Sequence, residues 1–347
     1  MGKYIIKRLL YVFVVLILLT FILYNVYSLV PQNRAYTDAK TEVNSMKNII
    51  KPEELDAKFN ELYLKYQRMY GTDTDNKIVR YLRWVGVYPF YNGQCNGLLQ
   101  GNFGYSWEER AEVVTVIADP MKNTLFLNIF VTIIALGITI PLGIRCAVKR
   151  GSVLDKTVQV VTIVGYSLPI FIFCIFFIFI FCSVLGWLPP SGMKTPGSNY
   201  TGWKWFWDRV YYMILPIITL TFSSLAYMTR LTRTAMLDAL SMDCIRTARA
   251  KGVRERTVIY SHAWRNALIP IITVVIGWFL GLFGGSMITE SMFGLNGMGT
   301  LFLKSMRTAD YDVIMLIECF YVFIGLIGNL ITDLVYGLVD PRVRVNK

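Results

Sequence analysis

The sequence predicts an all-α polytopic membrane protein with six transmembrane helices and a small helical domain outside the membrane between helices 1 and 2. Three observations predict it: an apolar composition, six long runs nearly free of charge, and a lopsided distribution of lysine and arginine. Hydrophobic residues make up 54% of the 347 positions and charged residues only 17%, with a mean hydropathy of +0.46. A soluble domain carries about 25% charged residues. In such a domain the formal charge of +12 would point toward nucleic acid; in a membrane chain its placement decides.

A helix needs about 20 apolar residues to cross roughly 30 Å of hydrocarbon. Six runs qualify: Leu9 to Val30, Asn123 to Val148, Val158 to Leu185, Tyr211 to Thr229, Ala267 to Thr289 and Val313 to Leu338. The first follows Lys3, Lys7 and Arg8 like a signal peptide, but it is longer than an ordinary h-region and no A-x-A site follows, so it reads as a retained helix. Arg145 lies about a turn from the end of the second run, where its long side chain can snorkel toward Lys149 and Arg150.

Charge sets the direction of threading. Residues 230 to 265 hold 8 basic and 3 acidic groups, whereas residues 31 to 122 hold 12 of each. With Lys3, Lys7 and Arg8 at one end and Arg342, Arg344 and Lys347 at the other, nearly all the basic excess falls on one side. Both termini are therefore expected in the cytoplasm, and a nucleic-acid partner loses its main support. The expected organisation is a cytoplasmic N-terminus with helix 1 over 1–30, an extracytoplasmic domain over 31–122, helices 2 to 6 over 123–338 with a cytoplasmic loop at 230–266, and a tail at 339–347.

The segment 31–122 is too long for a hairpin loop and too well patterned for a linker. From Lys51 to Gly71, Leu55, Phe59, Leu62, Tyr66 and Met69 recur at helical spacing behind Pro52, which predicts an amphipathic helix. A second helix is expected over 77–85. The aromatic residues Tyr63, Tyr66, Tyr70, Tyr81, Trp84, Tyr88, Phe90 and Tyr91 read mostly as the small domain's core, with a docking surface or gate as the functional reading. Of the six cysteines only Cys95 lies in a long polar segment, so no exported disulfide framework can form within the chain.

The cytoplasmic loop is the most charged stretch, and a short surface helix interrupted at Gly252 is expected over Ala248 to Val258. By residue type alone it could bind anionic lipid, serve only topology, or dock a partner protein. The run Arg246-Thr-Ala-Arg-Ala-Lys-Gly252, followed by Arg265-Asn-Ala-Leu-Ile-Pro270, resembles the coupling loop of bacterial ABC-importer permeases of the dipeptide/oligopeptide/nickel subfamily. Further resemblances run along almost the whole chain: Gly101-Asn-Phe-Gly-Tyr-Ser106, Ser167-Leu-Pro169, Leu185-Gly-Trp-Leu-Pro189, Glu290 to Gly299 with Asp310-Tyr311, Asn329 with Asp333 and Tyr336, and Asp340-Pro-Arg-Val-Arg344. The general permease loop opens Glu-Ala-Ala where this chain has Arg246-Thr247-Ala248, and Asn102 stands where the family pattern has Asp.

The resemblance implies a type I ABC-importer permease fold and import of peptides across the bacterial cytoplasmic membrane by alternating access. It implies a second homologous permease, two cytoplasmic ATPase subunits that bind ATP and Mg, and an extracytoplasmic peptide-binding lipoprotein. One ATPase would dock on a helix around Thr247 to Arg256. Arg246, Thr247, Ala248, Arg249, Ala250, Lys251, Gly252, Val253, Arg254, Glu255, Arg265, Asn266 and Pro270 would form the coupling site. Small residues at 248, 250 and 252 would allow close approach, charges at 249, 251, 254 and 255 would fix register, and Pro270 would sit in the first turn of helix 5. The chain carries no GxxxxGK[ST] loop, so it cannot cradle ATP phosphates in that manner.

Remaining candidates carry two readings each. Ser167 and Pro169 mark a kink in helix 3, pivoting or passive. Gly277, Gly281, Gly284 and Gly285 read as a small-residue face toward the second permease or within this chain. Glu318 and Asp333 are the acids inside spans; Glu318 is a candidate pathway residue and Asp333 a structural one. His262, the lone histidine, has no carboxylate or nucleophile at useful spacing and reads as a packing or capping residue. The rival class is an ion-gradient-driven secondary transporter or channel, for which Glu318 and Asp333 would be the working groups. No catalytic or metal-ligating constellation supports an enzyme.

Overall fold

The structure, a computed structural model, describes residues 2–29, 34–46 and 51–339. The C-terminal Asp340–Arg344 motif and tail, the last residue of the first apolar run, and residues 31–33 and 47–50 of the expected outer domain lie outside the described residues. Among those described, five helices are long and apolar enough to cross a bilayer: Ile6–Ser28, Val113–Val148, Gly202–Ser241, Glu255–Phe283 and Tyr311–Val335. The helix pair Val153–Ser167 and Ile170–Val184, bent by 104°, makes a sixth crossing when the two are counted as one span.

In chain order the helices are α1 (Gly2–Ser28), α2 (Arg34–Met46), α3 (Leu55–Met69), α4 (Lys77–Val85), α5 (Val113–Val148), α6 (Val153–Ser167) and α7 (Ile170–Ile178), followed by α8 (Gly202–Ser241), α9 (Asp243–Ala250), α10 (Glu255–Thr257), α11 (Trp264–Leu280), α12 (Met287–Met292), α13 (Met298–Thr308) and α14 (Tyr311–Val339). A two-stranded antiparallel hairpin, β1 (Tyr105–Ser106) with β2 (Ala111–Glu112), precedes α5. Residues 1–118 with 302–326 form one compact unit, and 119–301 with 327–347 a second. The boundary expected at Lys122 falls inside α5.

The first unit is built on local signals. In α4 the Asn76 side chain caps the helix by accepting from the Ile78 and Val79 amides, and Gly86 ends it at φ +92°. Helices α2 and α3 pack through Ala39, Val43 and Leu62, with Leu55, Phe59, Tyr63 and Tyr66 around them. Tyr66 donates to Glu42 at 2.5 Å and Tyr70 to Asp38 at 2.6 Å. The bond to the Glu42 carboxylate pushes the Tyr66 phenol up to about 12. The expectation that most outer aromatics are core is not met. Only Tyr81 is buried; Tyr88 and Tyr91 are exposed and the others half-buried.

In the second unit α8 is the hub, and small residues let its neighbours approach. A Cβ on Gly143 of α5 would meet Thr232 of α8 at 2.6 Å. Arg233 of α8 donates twice to Asp155 of α6, at 2.6 and 3.0 Å, and the Asp155 side chain is 1% exposed. Two apolar clusters flank α8. One joins it to Phe293, Leu295, Cys174 and Leu127; the other joins it to α9 and α11.

The loop from α12 to α13 closes around a carboxylate. Glu290 is 1% exposed, accepts from the Thr124 hydroxyl at 3.0 Å and from the Thr300 amide at 2.9 Å, and leaves no room for a side chain at Gly297. Burial pushes its pKa above the ordinary carboxylate value.

The Asp155–Arg233 pair yields a stability prediction. Asp155→Leu alone strands a largely buried guanidinium and should cost about 3 kcal/mol, whereas the Asp155→Leu, Arg233→Met pair should recover most of it. Thermal unfolding of the three detergent-solubilised proteins checks this; equal midpoints for the single and double variants would contradict it.

Candidate functional site

Helix α9 follows α8 after a one-residue break at Met242, whose ψ of 148° is extended. Its faces divide sharply. Ile245 and Ala248, three residues apart, are buried in the cluster formed by Met228, Ala235, Met236 and Ala239 of α8 with Ala267 and Ile271 of α11. Arg246, Thr247, Arg249 and Ala250 are exposed on the other side. The expectation that Ala248 lies at an external contact is therefore corrected: as the smallest apolar residue on the inner face, it lets α9 sit close to its own core.

The helix expected over 248–258 is also corrected, because Gly252 stops it. Gly252 stands at φ +72°, its amide bonds to the Arg249 carbonyl at 3.0 Å, and the Val253 amide reaches back to the Ala248 carbonyl at 3.2 Å. These two bonds are the Schellman ending, in which glycine supplies the left-handed residue. Val253 packs against the same cluster as Ala248, which supplies the hydrophobic contact that accompanies this motif. Residues 246–250 thus lie on α9, 251–254 in the turn, and Glu255 begins α10.

Across that turn Arg249 grips Glu255 with two bonds, 2.6 Å from Nη2 and 3.2 Å from Nε. Both side chains are about half exposed, so the pair acts more to hold the turn than to stabilise the fold. Arg246 reaches Asp243 at 3.3 Å. Lys251 and Arg254 are exposed and have no acidic partner among the described residues.

Beyond α10 the chain passes through a π-helical turn, Val258–Ala263, with Val258, Ile259 and Ala263 buried. His262 is exposed, and its carbonyl accepts from the Asn266 side chain at 2.9 Å. Arg265, Asn266 and Pro270 are exposed. Pro270 is not in a first turn as expected, since the helical segment starts well before it. It sits inside α11, where its missing N–H removes the bond to the Asn266 carbonyl.

The third crossing is broken rather than kinked. Ser167 donates to the Ile163 carbonyl at 2.8 Å, then Leu168 and Pro169 turn extended with ψ of 134° and 143°. A proline disfavours helical geometry in the residue before it, and the two segments meet at 104°.

The glycines expected on one face do not share it. Gly277 is inside α11 and Gly281 caps its end; a Cβ on either would meet nothing. Gly284 and Gly285 lie past the helix, and Gly285 packs on its own chain, where a Cβ would meet the Gly299 amide nitrogen at 2.0 Å. Glu318 is half-buried in α14, and its carboxylate accepts no hydrogen bond among the described residues. Asp333 and Asn329 lie further along the same helix.

Sequence reasoning missed the Asp155–Arg233 pair and the enclosure of Glu290. The first joins positions 78 residues apart and has no local signal. The second had one, the glycines at 294, 297 and 299 that follow an acid in an apolar setting.

Residues 139–345 match the family described as the binding-protein-dependent transport system inner membrane component. The chain belongs to that family, and its broken crossing, α9, the Gly252 turn and α11 all lie inside the match. It is a membrane-embedded transporter component with the type I importer-permease fold. Among curated relatives, the oligopeptide transport system permease protein AppB of Bacillus subtilis is 36% identical over 79% of this chain and 83% of its own length. A putative peptide permease protein of Brucella suis is 36% identical over 77% and 80%, and the dipeptide transport system permease protein DppB of Escherichia coli is 35% identical over 72% and 79%. Among solved structures, the MetNI methionine ABC transporter in inward-facing conformations aligns at 18% identity and a TM-score of 0.49, over 64% of this chain and 97% of that one.

The Gly252 geometry makes a prediction. A Cβ there meets no atom, so Gly252→Ala should pay only the left-handed backbone cost of about 1 kcal/mol, and Gly252→Asn less, since asparagine tolerates that region. Thermal unfolding should rank them glycine, asparagine, alanine; an alanine variant as stable as the parent would contradict the assignment of the turn.

Proposed function

We propose that the chain is the permease subunit of an ATP-driven importer of peptides in the bacterial cytoplasmic membrane. It works with a second permease, two ATPase subunits that bind ATP and Mg, and an extracytoplasmic peptide-binding lipoprotein. Family membership supports the transporter role, and relatives named as oligopeptide, peptide and dipeptide permeases support the cargo. The charge distribution supports cytoplasmic termini, which puts α9 on the cytoplasmic side.

The observation that carries the coupling role is the division of α9. Its outer face offers Arg246 and Thr247 to an ATPase, with Lys251 and Arg254 in the turn that follows, while Ile245 and Ala248 lock its inner face to α8 and α11. A closing ATPase pair that displaces α9 therefore displaces two spanning helices with it, because a packed core moves as a body rather than deforming. The exposed charges fix docking register. Gly277 and Gly281, open on the surface of α11, suit close contact with the second permease.

The gradient-driven reading would require Glu318 and Asp333 to bind the coupling ion. Neither belongs to a cluster of metal-binding groups among the described residues, and the family points elsewhere.

The test compares two substitutions at one position. Gly252→Trp should insert in the membrane normally yet lose at least tenfold of ATP-dependent peptide uptake, because the indole projects into the docking face; Gly252→Ala, with the same strain but little bulk, should keep most of it. Undiminished uptake in Gly252→Trp would overturn the coupling assignment.

A further inference from the structure

The first unit encloses a cavity of about 420 Å³ that the transport mechanism leaves unused. Every residue lining it belongs to that unit: the end of α1, the start of α2, the end of α3, α4, the loop after α4 and the start of α14. Its volume lies in the range of pockets that take small organic ligands. The lining joins two kinds of group, aromatic planes and arginines, and the balance of its charges selects the ligand.

Three guanidiniums, Arg34, Arg68 and Arg80, face a single carboxylate, Asp312. Arg34 is already ion-paired with Asp312 and Asp38, although its Nε has no hydrogen-bond acceptor. It donates from Nη1 to Asp312 at 3.1 Å and lies 4.1 Å from the centre of the Tyr70 ring. Asp312 also accepts from the Tyr105 amide at 3.1 Å, on the same Oδ2 atom, and it is the one carboxylate against three guanidiniums in the lining.

The other two arginines have no such partner. Arg80 donates from Nη2 to the Thr72 carbonyl at 2.6 Å, while its Nε is buried without an acceptor. Arg68 lies 5.0 Å from the centre of the Tyr91 ring. Among the described residues no carboxylate stands within ion-pair distance of either. Arg68 is exposed and Arg80 half-buried, so both can meet an incoming anion, and guanidinium forks recognise carboxylates through paired bonds. The apolar wall beside them includes Tyr24 and Trp84, whose rings are 5.4 Å apart. Asn92, Gln94, Asn96 and Asn102 also reach the lining and can pair with amide groups.

We propose that this cavity binds the carboxyl-terminal end of a short peptide, with the terminal carboxylate on Arg80 and Arg68 and an apolar or aromatic last side chain against Tyr24 and Trp84. The proposal rests on the peptide-importer reading and assigns that cargo a site built wholly from residues of the first unit. Selection is for a free carboxylate, because the lining sets three guanidiniums against one carboxylate that is already paired with Arg34.

The test uses the full chain in its native complex, reconstituted in nanodiscs, with the tripeptide Ala-Ala-Phe as probe and equilibrium dialysis as readout. The free acid should bind at least tenfold more tightly than the same peptide with an amidated C-terminus, a comparison that needs no variant. Arg80→Met should remove that difference, Arg80→Lys should restore part of it, and Arg68→Met should weaken the acid at least severalfold. Equal binding of acid and amide, a preference unchanged in Arg80→Met, or saturation of the cavity by phosphatidylglycerol with no competition from the peptide would each overturn the proposal. Peptide uptake measured on the same complex separates the two claims: uptake without acid-selective binding overturns the cavity site alone, and absence of uptake strikes the importer reading itself.

Discussion

The account depends on two small apolar contacts, Ile245 and Ala248, that fasten a charged helix to a hydrophobic core. A segment as basic as α9 cannot enter lipid and would otherwise trail as a solvated loop. Burying one isoleucine fully contributes roughly 1.5 to 3 kcal/mol, enough to hold eight residues only if their ends are also fixed. Met242 and Gly252 fix them, the first by turning extended and the second by a left-handed ending. The result is a rigid charged surface mounted directly on α8 and α11.

The same physics explains where the fold bends. A crossing helix satisfies its own backbone, so a break inside the bilayer is tolerated only where protein or water covers it. Pro169 forces one such break at 104°. Around α8, helix α5 is drawn in by the absence of a side chain at Gly143, and α6 by a buried ion pair, Asp155 with Arg233. Gly285 and Gly299 bring the loop before α12 and the start of α13 into backbone contact, and the Glu290 carboxylate gathers the Thr124 hydroxyl and the Thr300 amide around it.

Much of the architecture was legible in the sequence because hydropathy reports on the solvent. Five of the six apolar runs became single crossing helices and the sixth a pair bent by 104°, and the helix expected over 77–85 matches α4 to the residue. The ends of the crossings were less legible. Helix α5 begins at Val113, ten residues before the apolar run at Asn123, because Asp119 and Lys122 are compatible with helix though not with lipid. Helix α8 extends back to Gly202 for the same reason, and the fifth crossing stops at Phe283 because Gly284 turns extended. For the candidate site, composition identified the charged stretch, and residue types indicated a glycine interruption. The orientation of Ala248 toward the core and the pairing of Arg249 with Glu255 depend on packing that no local pattern encodes. The pair Arg34 and Asp312, 278 residues apart, was beyond reach for the same reason.

The claim on which the rest stands is that energy enters through a partner docked on α9. Purifying the tagged chain from its native membrane in mild detergent, with every co-purifying protein identified by mass spectrometry, tests it most directly. The account predicts ATPase subunits together with a second permease of similar size. Recovery of the chain alone or as a homo-oligomer, with no ATPase even after gentle crosslinking, would contradict it and turn attention to Glu318 and Asp333.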